Sequence, residues 1–84
     1  MTNYLMICRS LTYAQKAAKA LERAGITVSV TRTPQEISEK GCSYCVKVSE
    51  RRLSQSLVTL KNAGLSPNKV YVLFSDGNYS EVPM

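Results

Sequence analysis

The sequence predicts a small α+β domain of the ferredoxin-like type, a βαββαβ chain whose antiparallel sheet has strand order 4-1-3-2 with both helices on one face. Three observations predict this fold. The hydrophobic period changes from that of a strand to that of a helix twice along the chain. A glycine follows each predicted helix, and residues 20–26 (ALERAGI) are echoed by residues 59–65 (TLKNAGL). Each half is therefore one strand-helix-strand unit.

The first half begins with an apolar run of strand length at residues 4–8. Residues 12–24 then place their alanines and one leucine at helical spacing. Thr12 and Gln15 fit a capping box at the start of this helix, and Gly25 fits the left-handed position beyond its end. Residues 26–31 alternate apolar and polar side chains, which predicts the second strand.

The second half opens with residues 33–41, a loop that is long for a connection between strands and therefore suggests a function. Alternation over residues 44–48 predicts the third strand. Ser49 fits the cap of a helix over residues 50–63, and the apolar run 70–74 predicts the fourth strand. Residues 1–75 make one domain in this interpretation, and residues 76–84 are a polar tail without periodicity.

Composition limits the classes of function. The net charge is +5, but the basic residues are dispersed, which indicates a solvated surface more than a nucleic-acid footprint. The chain has no histidine, so the usual histidine-based catalysis and metal binding are excluded. The apolar stretch near the N-terminus is too short for a signal peptide or a membrane span, so we expect a cytoplasmic protein with reduced thiols and no cofactor.

The predicted topology gathers chemically active residues at one end of the sheet. The first two strands end where the next two begin, so Cys8, the 33–41 loop, Cys42 and Cys45 meet there, with Lys69. Alternation along the third strand directs Cys45 and Lys47 to the open face of the sheet, away from the helices, and there we expect Cys45 to be accessible.

The open face should also carry large apolar side chains. In the first strand it takes either Leu5 and Ile7 or Tyr4, Met6 and Cys8. In the fourth it takes either the pair at positions 71 and 73 or the set at 70, 72 and 74. A soluble domain seldom leaves such a face in water, so we expect a second copy of the chain to cover it as a homodimer.

Cys42 is the strongest candidate for a reactive group, because it lies in a loop between Lys40 and Lys47, and Arg9 approaches it in the predicted fold. Cys8 is interpreted as a small buried apolar residue. Cys42 and Cys45 form a Cys-x-x-Cys pair, but residues three apart in a strand are about 10 Å distant, too far for a disulfide. Cys8 and Cys45 on adjacent strands are the better disulfide candidate, and no closed metal site is expected from three thiols.

The segments 33–38 (TPQEIS), 41–43 (GCS), 46–48 (VKV) and 24–26 (AGI), in a βαββαβ chain, resemble the small bacterial and archaeal selenium/sulfur carrier protein-like family over residues 3–74. The resemblance implies that Cys42 carries sulfur or selenium as a persulfide or selenosulfide. It also implies donor and acceptor proteins as partners. Gln35 stands where arginine is frequent, and Cys45 where a small residue is usual, which adds a second thiol.

Thiol exchange makes such a carrier chemically coherent without a catalytic base, so we expect a carrier and not a turnover enzyme. Pro34 would stiffen the loop, Gly41 would let the chain turn, and Lys40 with Arg9 would favour the thiolate. Two alternatives remain. One is an RNA-binding module that stacks bases on the open sheet face. The other is a non-catalytic regulatory domain that dimerises through that face. No membrane partner is expected.

Overall fold

The computed structural model describes residues 2–37, 44–67 and 69–82. The elements are, in chain order, β1 (Asn3–Cys8), α1 (Leu11–Arg23), β2 (Ser29–Arg32), β3 (Tyr44–Ser49), a 3₁₀ turn (Glu50–Arg52), α2 (Leu53–Asn62), β4 (Lys69–Leu73) and β5 (Tyr79–Val82). The fold is α+β, as predicted. Neither helix of the described part is long and apolar enough to cross a membrane.

The five strands form one antiparallel sheet in the order β2-β3-β1-β4-β5. The predicted order 4-1-3-2 is wrong for this sheet, because a fifth strand extends it beyond β4. Among the first four strands, β3 and β4 flank β1, and β2 pairs with β3. Both helices contribute to a core on the same face of the sheet.

The extra strand lies in the segment predicted to be a polar tail. Its hairpin is closed by two backbone hydrogen bonds, from the Phe74 amide to the Asn78 carbonyl and from the Gly77 amide to the Phe74 carbonyl. The Asp76 carboxylate also accepts a bond from the Asn78 amide at 3.0 Å. Gly77 has a φ of +90°, which a side chain would disfavour. The two apolar residues of β5, Tyr79 and Val82, face opposite sides of the sheet, so they leave no alternation for a sequence pattern to detect.

The ends of the two helices confirm one of the predicted caps and correct two others. Gly25, after α1, has a φ of +82°, which confirms the predicted left-handed position. The predicted Thr12 cap is wrong, because Ser10 adopts the extended backbone that a cap needs and its Oγ accepts the Tyr13 amide at 3.1 Å. The predicted Ser49 cap is also wrong, because the chain enters α2 through the 3₁₀ turn and the Ser49 side chain makes no capping bond.

The sheet separates two groups of buried apolar residues. The helix-side core comprises Met6, Cys8, Ala14, Ala17, Leu21, Ile26, Val46, Val48, Leu60 and Val70. The open-face cluster comprises the buried Leu5, Ile7 and Cys45, against which Ile37, Tyr71 and Tyr79 pack. The register left open by the sequence is thereby decided: Leu5 and Ile7 of β1 and Tyr71 of β4 belong to the open face.

Candidate functional site

One end of the sheet gathers several of the residues predicted for a site. At the end of β1, Cys8 pairs with Tyr44, the first residue of β3, and Ile7 lies between Cys45 and Lys69 on the neighbouring strands. Cys42, Lys40 and Gly41 lie outside the described residues. The chain nevertheless connects Cys42 to this end of the sheet, because it precedes Tyr44 by two residues.

Cys8 and Cys45 face opposite sides of the sheet. Cross-strand partners share a face, and Cys45 is paired with Ile7, whereas Cys8 is the next residue along β1. Cys8 accordingly packs in the helix-side core and Cys45 in the open-face cluster. Cys8 and Cys45 are therefore not the good disulfide candidate that their adjacent strands suggested, and both thiols are free in the described part of the chain. For the same reason these two thiols cannot ligate one metal ion together.

Cys8 has the environment of a structural residue. It is 1% exposed, and its Sγ lies 3.6 Å from the Met6 carbonyl oxygen, in reach of a weak S–H hydrogen bond. Burial raises the pKa of the Cys8 thiol to about 11, so the thiol is protonated at neutral pH. The interpretation of Cys8 as a small buried apolar residue agrees with this environment.

Cys45 is also buried, although the sequence predicted that its thiol would be accessible. The alternation places it on the open face as expected, but its exposed fraction is 0%. The reason is tertiary: Ile37, from the turn after β2, and Tyr79, from β5, pack against the cluster that contains it. The face that the helices leave open is thus covered by a turn and by a residue of β5.

Two threonine hydroxyls surround the Cys45 thiol. Thr31 is its cross-strand partner, with Oγ1 3.3 Å from Sγ. Burial raises the pKa of Cys45, while the hydroxyls of Thr31 and Thr33 and the charge of Lys47 oppose that rise. The Thr33 Oγ1 is buried and makes no hydrogen bond of normal geometry in the described part of the chain, so its influence on the thiol is through proximity. Neither threonine was predicted as a site residue, although the position of Thr31 in the alternating second strand was a signal for it.

The loop after β2 begins with a turn in which the Ile37 amide donates to the Pro34 carbonyl at 3.1 Å. This turn reaches over the open face toward the β4–β5 hairpin, because a groove of about 440 Å³ is lined by Glu36, Ile37, Gly77, Asn78 and Tyr79. Pro34 thus starts the turn that delivers Ile37 to the open-face cluster. The part of the predicted stiff loop that the structure describes therefore covers the open-face cluster.

The predicted cations occupy separate positions. The Arg9 guanidinium lies 4.8 Å from the centre of the Tyr13 ring, and the Tyr13 hydroxyl donates to the Ser66 carbonyl and accepts from the Ser66 amide. Arg9 is thereby held beside the end of β1. Lys47 is half-buried on the same face as Cys45, two residues further along β3.

The fold and these thiols define the class: a small α+β protein with two free thiols buried on opposite sides of one sheet. The family described as "Putative Se/S carrier protein-like" matches residues 3–72, from the start of β1 into β4, and the chain belongs to that family. The strand β5 lies outside the matched residues. No curated protein matches the chain.

Proposed function

We propose that this protein carries sulfur or selenium on Cys42, as a persulfide or selenosulfide, between a donor and an acceptor protein in the cytoplasm. The carrier role follows the family to which the chain belongs. The proposal concerns thiol exchange, in which one sulfur passes from one thiol to another, so it requires neither a catalytic base nor turnover. The partners are the proteins that supply and receive that sulfur or selenium.

The observation that supports Cys42 is the burial of the other two cysteines. The chain has three cysteines, and a carrier thiol must be reached by two different partner proteins. Cys8 and Cys45 are 1% and 0% exposed, and burial raises the pKa of both thiols. Neither is therefore suited to rapid exchange at the protein surface. Cys42, with Lys40 and Gly41 before it in sequence, is the thiol that remains.

Residues near the end of β1 support the same assignment. Arg9 and Lys69 lie at the end of the sheet to which the chain connects Cys42. Positive charge there favours a thiolate or persulfide anion. The Lys69 Nζ also lies 4.0 Å from the Oε1 of Glu81 in β5, so the carboxylate already balances part of the lysine charge. Arg9 is therefore the better candidate to stabilise an anion on Cys42.

The test is intact-protein mass spectrometry after incubation with a cysteine desulfurase and cysteine, followed by peptide mapping without reduction. We expect one sulfur to be added rapidly to Cys42. Cys42→Ala should abolish this rapid loading, whereas Cys45→Ala and the matched control Cys8→Ala should retain it. Absence of sulfur on Cys42, or a dominant Cys42–Cys45 disulfide with release of sulfide, would contradict the carrier role.

A thiol-labelling experiment tests the same assignment without a donor. We expect Cys42 to react with iodoacetamide at neutral pH faster than Cys8 or Cys45, because the two buried thiols become reactive only when the structure opens locally. Labelling of Cys8 at the rate of Cys42 would remove the observation that supports the proposal.

The RNA-binding alternative is disfavoured by the register of the sheet. Such modules stack bases on aromatic side chains of the open face, in the strands that correspond to β1 and β3. Here Tyr4 and Tyr44 pack against the helix-side core, and β1 presents Leu5 and Ile7 to the open face. Salt-dependent retention on single-stranded RNA that survives Cys42→Ser would instead support this alternative.

Dimerisation through the open face stays a prediction, but exposed apolar side chains on β1 no longer support it. Leu5 and Ile7 are 3% and 8% exposed within one chain, because Ile37, Tyr71 and Tyr79 pack against them. A second copy is not needed to keep these residues from water. Light scattering at micromolar concentration tests the homodimer, and with it the regulatory alternative that depends on it.

A further inference from the structure

The buried Thr33 hydroxyl points to a second sulfur site. Thr33 is 6% exposed, and within the described part of the chain its Oγ1 is the buried side-chain oxygen or nitrogen that finds no partner. Native proteins contain few such atoms, and each calls for an explanation. This one lies close enough to Cys45 for its hydroxyl to influence the thiol.

The polar groups around the Cys45 sulfur offer more hydrogen bonds than a neutral thiol can use, although apolar burial raises the pKa of the thiol above its ordinary value. A neutral thiol is a weak donor and a weak acceptor, and the hydroxyl of Thr31, 3.3 Å away, is enough to satisfy it. A sulfur anion accepts several hydrogen bonds and makes stronger ones. It would use the hydroxyls of both Thr31 and Thr33, and the Thr33 group would then gain the partner that it lacks within residues 2–37, 44–67 and 69–82.

Charge near Cys45 favours an anion, whereas the packing around it shields the sulfur from solvent. Lys47 lies on the same face two residues away, and its charge favours an anion at the sulfur. Leu5 and Ile7 border the sulfur with apolar surface and are themselves buried. A persulfide at this position would be screened from reducing agents in solution, unlike one on an exposed thiol.

We propose that Cys45 is a second sulfur-accepting thiol, a protected store in which the hydroxyls of Thr31 and Thr33 hold an anionic persulfide. This inference rests on the proposed function, because the sulfur arrives as a persulfide on Cys42 or on a small thiol. The Cys45 thiol loses its proton to solvent, and its Sγ attacks the outer sulfur of the donor. A new S–S bond forms, the donor S–S bond breaks, and the donor leaves as a thiolate that takes up a proton. No net oxidation occurs.

Access to Cys45 requires movement of a turn and not of the sheet. Among the described residues, one backbone hydrogen bond closes the Pro34–Ile37 turn, and Ile37 is only half-buried where it packs against the cluster. Local opening of such a segment takes less free energy than unfolding of the domain. Loading of Cys45 is therefore expected to be slower than loading of Cys42, and Ile37→Ala should accelerate it.

The test uses the full chain with Cys42→Ser, so that Cys45 is loaded directly, and glutathione persulfide as the probe. Peptide mapping should find one added sulfur on Cys45. Thr33→Val keeps the side-chain shape and should lower the loaded fraction roughly tenfold, the loss expected for one hydrogen bond to an anion. Thr33→Ser, which retains the hydroxyl, should keep the loading. Thr27→Val, at an exposed threonine, is the matched control. If Thr33→Val does not fold, Thr31→Val takes its place.

Two results would overturn the inference: no sulfur on Cys45, or equal loading of Cys45 with and without the Thr33 hydroxyl. The desulfurase experiment on the wild-type chain separates this failure from that of the carrier role. Sulfur on Cys42 with none on Cys45 in either experiment overturns the protected store alone. Sulfur that reaches Cys45 from the desulfurase equally fast in the wild-type and Cys42→Ser chains, with none on Cys42 at any time, overturns the carrier assignment of Cys42 and supports the store.

Discussion

The helix-side core and the open-face cluster each bury one cysteine, but the two faces are closed by different kinds of structure. Two helices cover Cys8, and its nearest polar contact is a main-chain carbonyl. Cys45 is covered by Ile37 of a turn and by residues of the last two strands, and threonine hydroxyls border its sulfur. Burial therefore makes both thiols poor surface nucleophiles, but only the Cys45 site contains polar groups suited to a modified sulfur.

The difference also concerns how firmly each face is closed. A helix is fixed by its whole hydrogen-bonded length, whereas the Pro34–Ile37 turn has one backbone hydrogen bond within the part of the chain that the structure describes. The open face should accordingly open more easily than the helix side. The following experiments test that contrast.

The largest expected effect is on the helix-side core. Leu21 is fully buried, so Leu21→Ala should lower the free energy of unfolding by about 3–5 kcal/mol. Ile37→Ala, at a half-buried residue of the open face, should lower it by only about 1 kcal/mol. Urea unfolding followed by circular dichroism measures both. Equal losses would show that the two faces contribute alike.

The next effect is the pH dependence caused by Cys8. Burial raises its pKa from 9.0 to about 11, so the folded state favours the protonated thiol. The resulting stabilisation is complete below pH 9 and is lost as the pH rises through about 11. Between about pH 8 and about pH 12 the wild type should lose about 3 kcal/mol more than Cys8→Ala. Equal pH dependence of the two chains, measured by urea unfolding, would contradict the buried environment of Cys8.

A smaller effect is expected at β5, because Tyr79 is half-buried against the open-face cluster. Tyr79→Ala should lower the free energy of unfolding by about 2 kcal/mol and increase the labelling rate of Cys45. The labelling rate of Cys8 should rise less, because its covering helices remain in place. If both thiols gained reactivity equally, β5 would be stabilising the whole domain and not covering one face.

The smallest expected effect has the opposite sign. Thr33→Val removes a buried hydroxyl that has no hydrogen-bond partner among the described residues, so it should raise the free energy of unfolding by about 1 kcal/mol. Thr27→Val, at an exposed site, should change it little. Thermal unfolding at neutral pH compares the three chains. A clear loss of stability in Thr33→Val would mean that its hydroxyl is already satisfied.

Local patterns predicted much of this molecule because they report interactions between residues close in sequence. The helical spacing of apolar residues identified α1 and α2, and the positive φ of Gly25 and Gly64 matches their places after the helices. Alternation correctly directed Cys45 to the face opposite Val46. The short hairpin signal Asp76-Gly77 was also present in the sequence, but β5 has too few residues for alternation to reveal it.

The sequence by itself determined the α+β class, the helices, the first four strands and the face on which β3 places its side chains. These features follow from backbone geometry and from the period of apolar residues. Only the tertiary structure decided that β5 extends the sheet and that Cys8 and Cys45 lie on opposite faces of the sheet. It also decided that Ile37 and Tyr79 cover the open face. Such contacts join residues far apart in sequence, so no local pattern encodes which side chains cover Cys45.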